Sequence, residues 1–92
     1  MARTDKINLD EKQIKRLIEN AVVAAFSLKQ PRFVSFDFKD FEYQVEIRRE
    51  TFEKCRVIVK TVTPCFDWVR ISDHNVNYEY APNNVINVLT SK

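Results

Sequence analysis

Pro31 divides this chain of 92 residues into two hydrophobic periods, and the division fixes the class of fold open to it. Before it, Ile14, Leu17, Ile18, Ala21, Val22, Ala25 and Leu28 recur at steps of three and four, with Lys12, Lys15, Arg16, Glu19 and Asn20 on the opposite side. After it the period drops to two. Val34, Phe36 and Phe38 alternate with Ser35 and Asp37, and Phe41, Tyr43, Val45 and Ile47 alternate with Glu42, Gln44, Glu46 and Arg48. The expected fold is α+β: a long N-terminal helix packed on one face of an antiparallel sheet of four to five strands, then a short C-terminal helix or strand.

The boundaries follow from local chemistry. Asp10 and Gln13 can exchange capping hydrogen bonds while Leu9 staples onto Ile14, so the helix begins at about Glu11. Pro31 disfavours helix at Gln30 and ends it near Lys29. Lys39 and Asp40 join the first two strands as a tight hairpin. A third strand, Lys54 to Thr63, turns its Cys55, Val57 and Val59 inward. With Glu50 to Phe52 as the turn, Glu46 falls opposite Arg56, Glu42 opposite Lys60 and Val45 opposite Val57. Beyond Pro64 a fourth strand, about Phe66 to Ile71, and a fifth, about Val76 to Tyr80, flank a turn at Ser72 to Asn75. Asn83 is positioned to cap a terminal helix carrying Val85, Ile86 and Leu89. Val23 and Phe26 extend the helix's apolar surface beyond one stripe, so this end is either covered by the sheet and C-terminal segment or offered to a partner, and burial in the chain's own core is the expectation.

The chain has no glycine, where average usage of roughly 7% would give about six. Loops that cradle phosphate on bare backbone, and the glycine-flanked nucleophile elbow, are therefore excluded. Cys55, Cys65 and His74 are the only thiols and imidazole, and their spacing carries no local signature of a nucleophilic pair or a zinc site. A buried Cys and a His in an exposed turn are expected. The carboxylate pairs Asp37 with Asp40 and Glu50 with Glu53 fall in expected turns. No catalytic residue, cofactor or metal is expected, and the expectation is a protein that is not an enzyme; a small Cys/His enzyme is one alternative.

Fifteen Lys and Arg stand against 13 Asp and Glu, a formal net charge of +2, so electrostatic recognition has to be local. One cationic group, Arg3, Lys6, Lys12, Lys15 and Arg16, lies at the start of the helix. The other, Arg48, Arg49, Lys54, Arg56 and Lys60, surrounds the second hairpin, and Phe66 and Trp68 are expected to share a strand face with Arg70. Arg48, Arg49, Lys54, Arg56, Lys60, Trp68 and Arg70 are the candidate partner-binding residues, suited to phosphate contact, base stacking or an interface anchor. The longest apolar run, Ala21 to Phe26, is too short for a membrane span. Nor does the polar start of the chain resemble an export signal, so a cytoplasmic, single-domain protein with reduced thiols is expected, as a monomer or small homo-oligomer.

Helix, three antiparallel strands and a terminal helix resembles the order in double-stranded-RNA-binding domains. The Lys-rich start of their second helix has no match in Asn83 to Leu89, and two further strands intervene. In its length, solitary domain and lack of catalytic motifs, the chain is loosely similar to small phage-encoded inhibitors of bacterial defence, the anti-CRISPR type among them. That resemblance implies docking on a bacterial defence protein or ribonucleoprotein complex and obstruction of its nucleic-acid path. No functional residue is carried by it. A general RNA- or DNA-binding module is the other alternative.

Overall fold

In a computed structural model that describes residues 8–91, the chain forms α1 (Glu11–Leu28), β1 (Arg32–Phe38), β2 (Phe41–Arg49), β3 (Lys54–Val62), β4 (Trp68–Asn77), a 3-10 turn (Tyr78–Tyr80) and α2 (Ala81–Thr90). The sheet is an antiparallel meander in the order β1-β2-β3-β4, and both helices pack on one of its faces. The α+β expectation holds. Arg3 and Lys6 of the first cationic group lie outside the described residues.

The N-terminal capping box forms as its residues require: the Gln13 N–H donates to Asp10 Oδ1 at 2.8 Å, and the Asp10 N–H donates to Gln13 Oε1 at 2.9 Å. Ile14, Ile18, Ala21, Val22 and Ala25 are buried against Phe36, Val45, Ile47, Val57 and Val59 from the sheet. Leu17 and Tyr43, also expected in the core, are half-buried at its edge.

Without glycine, left-handed backbone falls to residues that bear a Cβ. Lys29 closes α1 at φ 56°, donating its N–H to the Ala25 carbonyl at 2.9 Å. The two-residue hairpin between β1 and β2 places both Lys39 (φ 50°) and Asp40 (φ 69°) in the left-handed region, as a type I′ turn demands. Asn8 braces this turn, its Nδ2 donating to Asp40 Oδ1 at 3.0 Å and its Oδ1 accepting from the Asp40 N–H at 2.9 Å.

Four expectations need correction. The β2–β3 turn has four residues, Glu50 to Glu53, with the Thr51 hydroxyl accepting from the N–H groups of Glu53 and Lys54. The register therefore shifts by two: Val45 meets Val59, Glu46 meets Ile58 and Arg48 meets Arg56. A shift of two preserves every residue's face, so Val45, Ile47, Val57 and Val59 still turn inward.

Secondly, the two strands expected after Pro64 are one. Ser72 to Asn75 continue β4, because their backbone pairs with β3 while His74 and Asn75 reach solvent and the buried Ser72 hydroxyl meets His74 Nδ1 at 2.9 Å. Thirdly, α2 starts at Ala81 with Pro82 in its first turn, where a missing N–H costs nothing, so Asn83 is inside the helix and not its cap. Helix prevails over strand in this segment because Ala81, Pro82, Val85, Ile86 and Leu89 form one stripe facing the core. Finally, Val23 and Phe26 are 64% and 42% exposed. Both helices lie on the same face of the sheet, and the core covers Val22 and Ala25 at that end of α1 but not the flank that carries Val23 and Phe26.

Candidate functional site

The same alternation that turns Ile47, Cys55, Val57 and Val59 toward the helices carries Arg48, Lys54, Arg56 and Lys60 to the open face of the sheet. Pairing with β4 adds Trp68, opposite Val62, and Arg70, opposite Lys60. Six of the seven candidate residues thus share one face. Arg49 does not: its odd position turns it to the helix side, where its guanidinium lies 4.9 Å above the Phe26 ring. Phe66 also departs, being 86% exposed at φ 65° in the turn from Thr63 to Asp67, before β4 begins.

Two pairs of like charges stand directly opposite each other on this face, Arg48 with Arg56 and Lys60 with Arg70. Such pairs oppose sheet formation. Asp73 offsets part of the cost: Arg56 Nε donates to its Oδ1 at 2.9 Å, Arg56 Nη2 to its Oδ2 at 2.7 Å, and Arg70 Nη1 to its Oδ2 at 3.1 Å. The hydrogen bonds from Arg56, aided by the positive charges of Arg56 and Arg70, hold the Asp73 carboxyl below the usual range, against a smaller opposing effect of desolvation. The same hydrogen bond and charge raise Arg56 further above its already high value. Arg48 reaches Glu46 at 3.1 Å, while Lys54 and Lys60 make no ion pair among the described residues.

Arg70 and Asp73 are three residues apart and would face opposite ways in a regular strand. A β-bulge resolves this, since Lys60 pairs with Arg70 and Val59 with Ser72, leaving Ile71 as the extra residue. The bulge brings both charges to the open face. Ile58, between Arg56 and Lys60, is also on that face, yet it is only 3% exposed and lies outside the main core cluster. The stems of the surrounding long side chains shelter it. Anionic Asp37, Glu42 and Glu46 occupy the β1–β2 side of the face, so the cations concentrate over β3 and β4. In the sequence Asp73 is a candidate only to orient the His74 ring and Ile58 carries no signal; their placement on this face depends on the bulge and on a register fixed by the Thr51 turn.

Of the residues of the enzymatic alternative, Cys55 is buried and His74 exposed as expected, but His74 is not in a turn. Cys55 is fully buried, and desolvation pushes its thiol up to about 11. His74 belongs to β4, opposite Val57, not to a turn; Ser72 Oγ is 2.9 Å from its Nδ1 and Asn84 Nδ2 is 3.4 Å away. Cys65 lies in the turn before β4, and the strand from Trp68 to His74 separates the two by roughly 20 Å at about 3.3 Å per residue. Asp37 is buried in β1 and not in a turn, while Asp40, Glu50 and Glu53 are exposed. No group of three His, Cys, Asp or Glu able to hold a metal occurs among the described residues.

Among the described residues, no helix is long and apolar enough to cross a membrane. Comparison with protein families, curated proteins and solved structures finds no match to this chain.

Proposed function

We propose that the chain is a non-enzymatic contact protein whose open sheet face docks on the nucleic-acid path of a bacterial defence complex and blocks it, in the manner of anti-CRISPR inhibitors. The observation that carries the reading is the pair of like-charge contacts, Arg48 with Arg56 and Lys60 with Arg70, beside Trp68. In the free protein these contacts cost stability. An anionic partner turns the same charges into favourable interactions, and Trp68, 43% exposed, offers a rigid surface for a base or an interface anchor. Lys54 and Lys60 contribute charge that no carboxylate among the described residues pairs with.

The test begins with capture of the bound complex from bacterial lysate, with and without nuclease, followed by titration of the purified complex. The expected result is a ribonucleoprotein that loses access to its target strand. The double variant Lys60→Glu/Arg70→Glu should weaken docking about tenfold or more, equivalent to about 1.4 kcal/mol, and the wild-type affinity should fall with rising salt. Arg49→Glu, on the other face, should leave this docking unchanged. Wild-type affinity in the double variant removes the sheet face as the site. Recovery of bare nucleic acid alone favours a general binding module.

A further inference from the structure

We infer that the helix side of the molecule carries a second docking site, an apolar groove with an acidic rim that receives a cationic amphipathic segment of a partner protein. This inference extends beyond the sheet-face reading and rests on different residues. The groove begins as a cleft of about 360 Å³ lined by Val22, Val23, Phe26, Phe52 and Tyr78. It continues along Tyr78 toward Glu79 and Pro82. Its floor is held in place. Phe26 meets Tyr78 edge to face with ring centroids 5.1 Å apart, and Tyr78 Oη donates to the Thr51 carbonyl at 2.9 Å. Phe52, at 72% exposure in the four-residue turn, stands at the margin. A preformed cleft of this size accepts one or two large apolar side chains at little ordering cost.

Charge selects the occupant. Glu19, Glu53 and Glu79 are exposed around the groove and form no ion pair among the described residues. The adjacent cation, Arg49, is directed onto the Phe26 ring. A helix with Leu or Phe on one side and Lys or Arg on the other satisfies both apolar floor and acidic rim. A second copy of this chain suits the groove less well: twofold pairing of groove on groove would bring the same carboxylates together from both copies.

The experiment uses a synthetic amphipathic peptide of Leu and Lys, with a Glu-for-Lys counterpart and an Ala-for-Leu counterpart, titrated into the full chain by fluorescence anisotropy and amide chemical-shift mapping. The Leu/Lys peptide should bind saturably, shift Val23, Phe26, Phe52 and Tyr78, and lose about tenfold or more in affinity with either Phe52→Ser or Glu53→Lys/Glu79→Lys. Both counterparts should bind more weakly by a similar factor. Lys60→Glu/Arg70→Glu should bind the Leu/Lys peptide as wild type does, which separates this site from the sheet face. Equal binding of the Glu peptide, shifts confined to other surfaces, or unchanged affinity in the groove variants overturns the inference. So does a dimer in sedimentation velocity that Phe52→Ser dissociates.

Discussion

Truncating Ile58 to Ala tests whether the charged face has an apolar floor of its own. The change removes three carbons, and at about 0.8 kcal/mol for each buried methylene the transfer loss is about 2.4 kcal/mol. Ile58 is 3% exposed, so nearly all of that loss should be felt. A cavity contribution adds to it, but less than in the closed core, because the stems of Lys60 and its neighbours can settle into the space. The expected cost is therefore about 2 to 3 kcal/mol, at the low end for Ile→Ala in proteins. For a chain of this size it corresponds to a fall in melting temperature of roughly 10 to 20 °C. Urea unfolding followed by far-UV circular dichroism would show the midpoint falling with little change in slope. Ile58→Val should cost about 0.5 to 1.5 kcal/mol. Combination with Lys60→Ala should be less than additive, because the shelter is already partly lost. A cost below about 0.5 kcal/mol for Ile58→Ala, as at an ordinary exposed position, would show that the side-chain layer does not shelter the residue.

Lys29→Gly should stabilise the fold by about 0.5 to 1 kcal/mol, since relief of left-handed strain at φ 56° exceeds the entropy that glycine adds to the unfolded chain; thermal melting reads the gain, and a loss of stability refutes it. At neutral pH an alkylating reagent should modify Cys65 quickly and Cys55 only on unfolding, because a buried thiol with a pKa of about 11 is ionised in about one molecule per ten thousand. Mass mapping of a folded sample that finds Cys55 labelled first would contradict the packing. Asp73 has its carboxyl held low in the fold, so its stabilising effect is present above the ordinary carboxylate range and disappears as pH falls through the lowered value. Asp73→Asn should flatten the acid side of the stability profile below about pH 4; an unchanged acid limb would mean that the Arg56 and Arg70 contacts do not persist in solution.

Sequence pattern was sufficient where local chemistry and tertiary structure agree. The capping box of Asp10 and Gln13, the Lys39–Asp40 hairpin and the inward faces of β2 and β3 each follow from a few neighbouring residues. Pattern failed where an irregularity intervened. Polar Ser72 to Asn75 resemble a turn until a neighbouring strand supplies their backbone partners, and the bulge at Ile71 reverses the side-chain parity that would separate Arg70 from Asp73. Arg48, Lys54, Arg56 and Lys60 were legible as one group because parity survives a register error of two, whereas Trp68 and Arg70 join them only through the pairing of β3 with β4. Arg49 was grouped with them by proximity in sequence alone, although its position beside Arg48 already placed it on the other face. The exposure of Val23 and Phe26 depended on how far α2 and the β2–β3 turn extend across α1, which no local signal encodes.

The formal charge of +2 understates what each surface presents to a partner. Cations over β3 and β4 and carboxylates around the Phe26 groove belong to opposite sides of a packed sheet and helix layer, separated by about 10 Å or more. At physiological salt the screening length is about 8 Å, so each partner responds chiefly to the side it approaches. Raising the salt should therefore weaken both dockings, while charge reversal on one side should leave the other nearly unchanged. If both proposed sites act, this independence allows a small domain with little net charge to address an anionic strand and a cationic protein segment together. Joined contacts of that kind gain affinity through effective concentration, provided the partner presents both elements at the domain's own spacing.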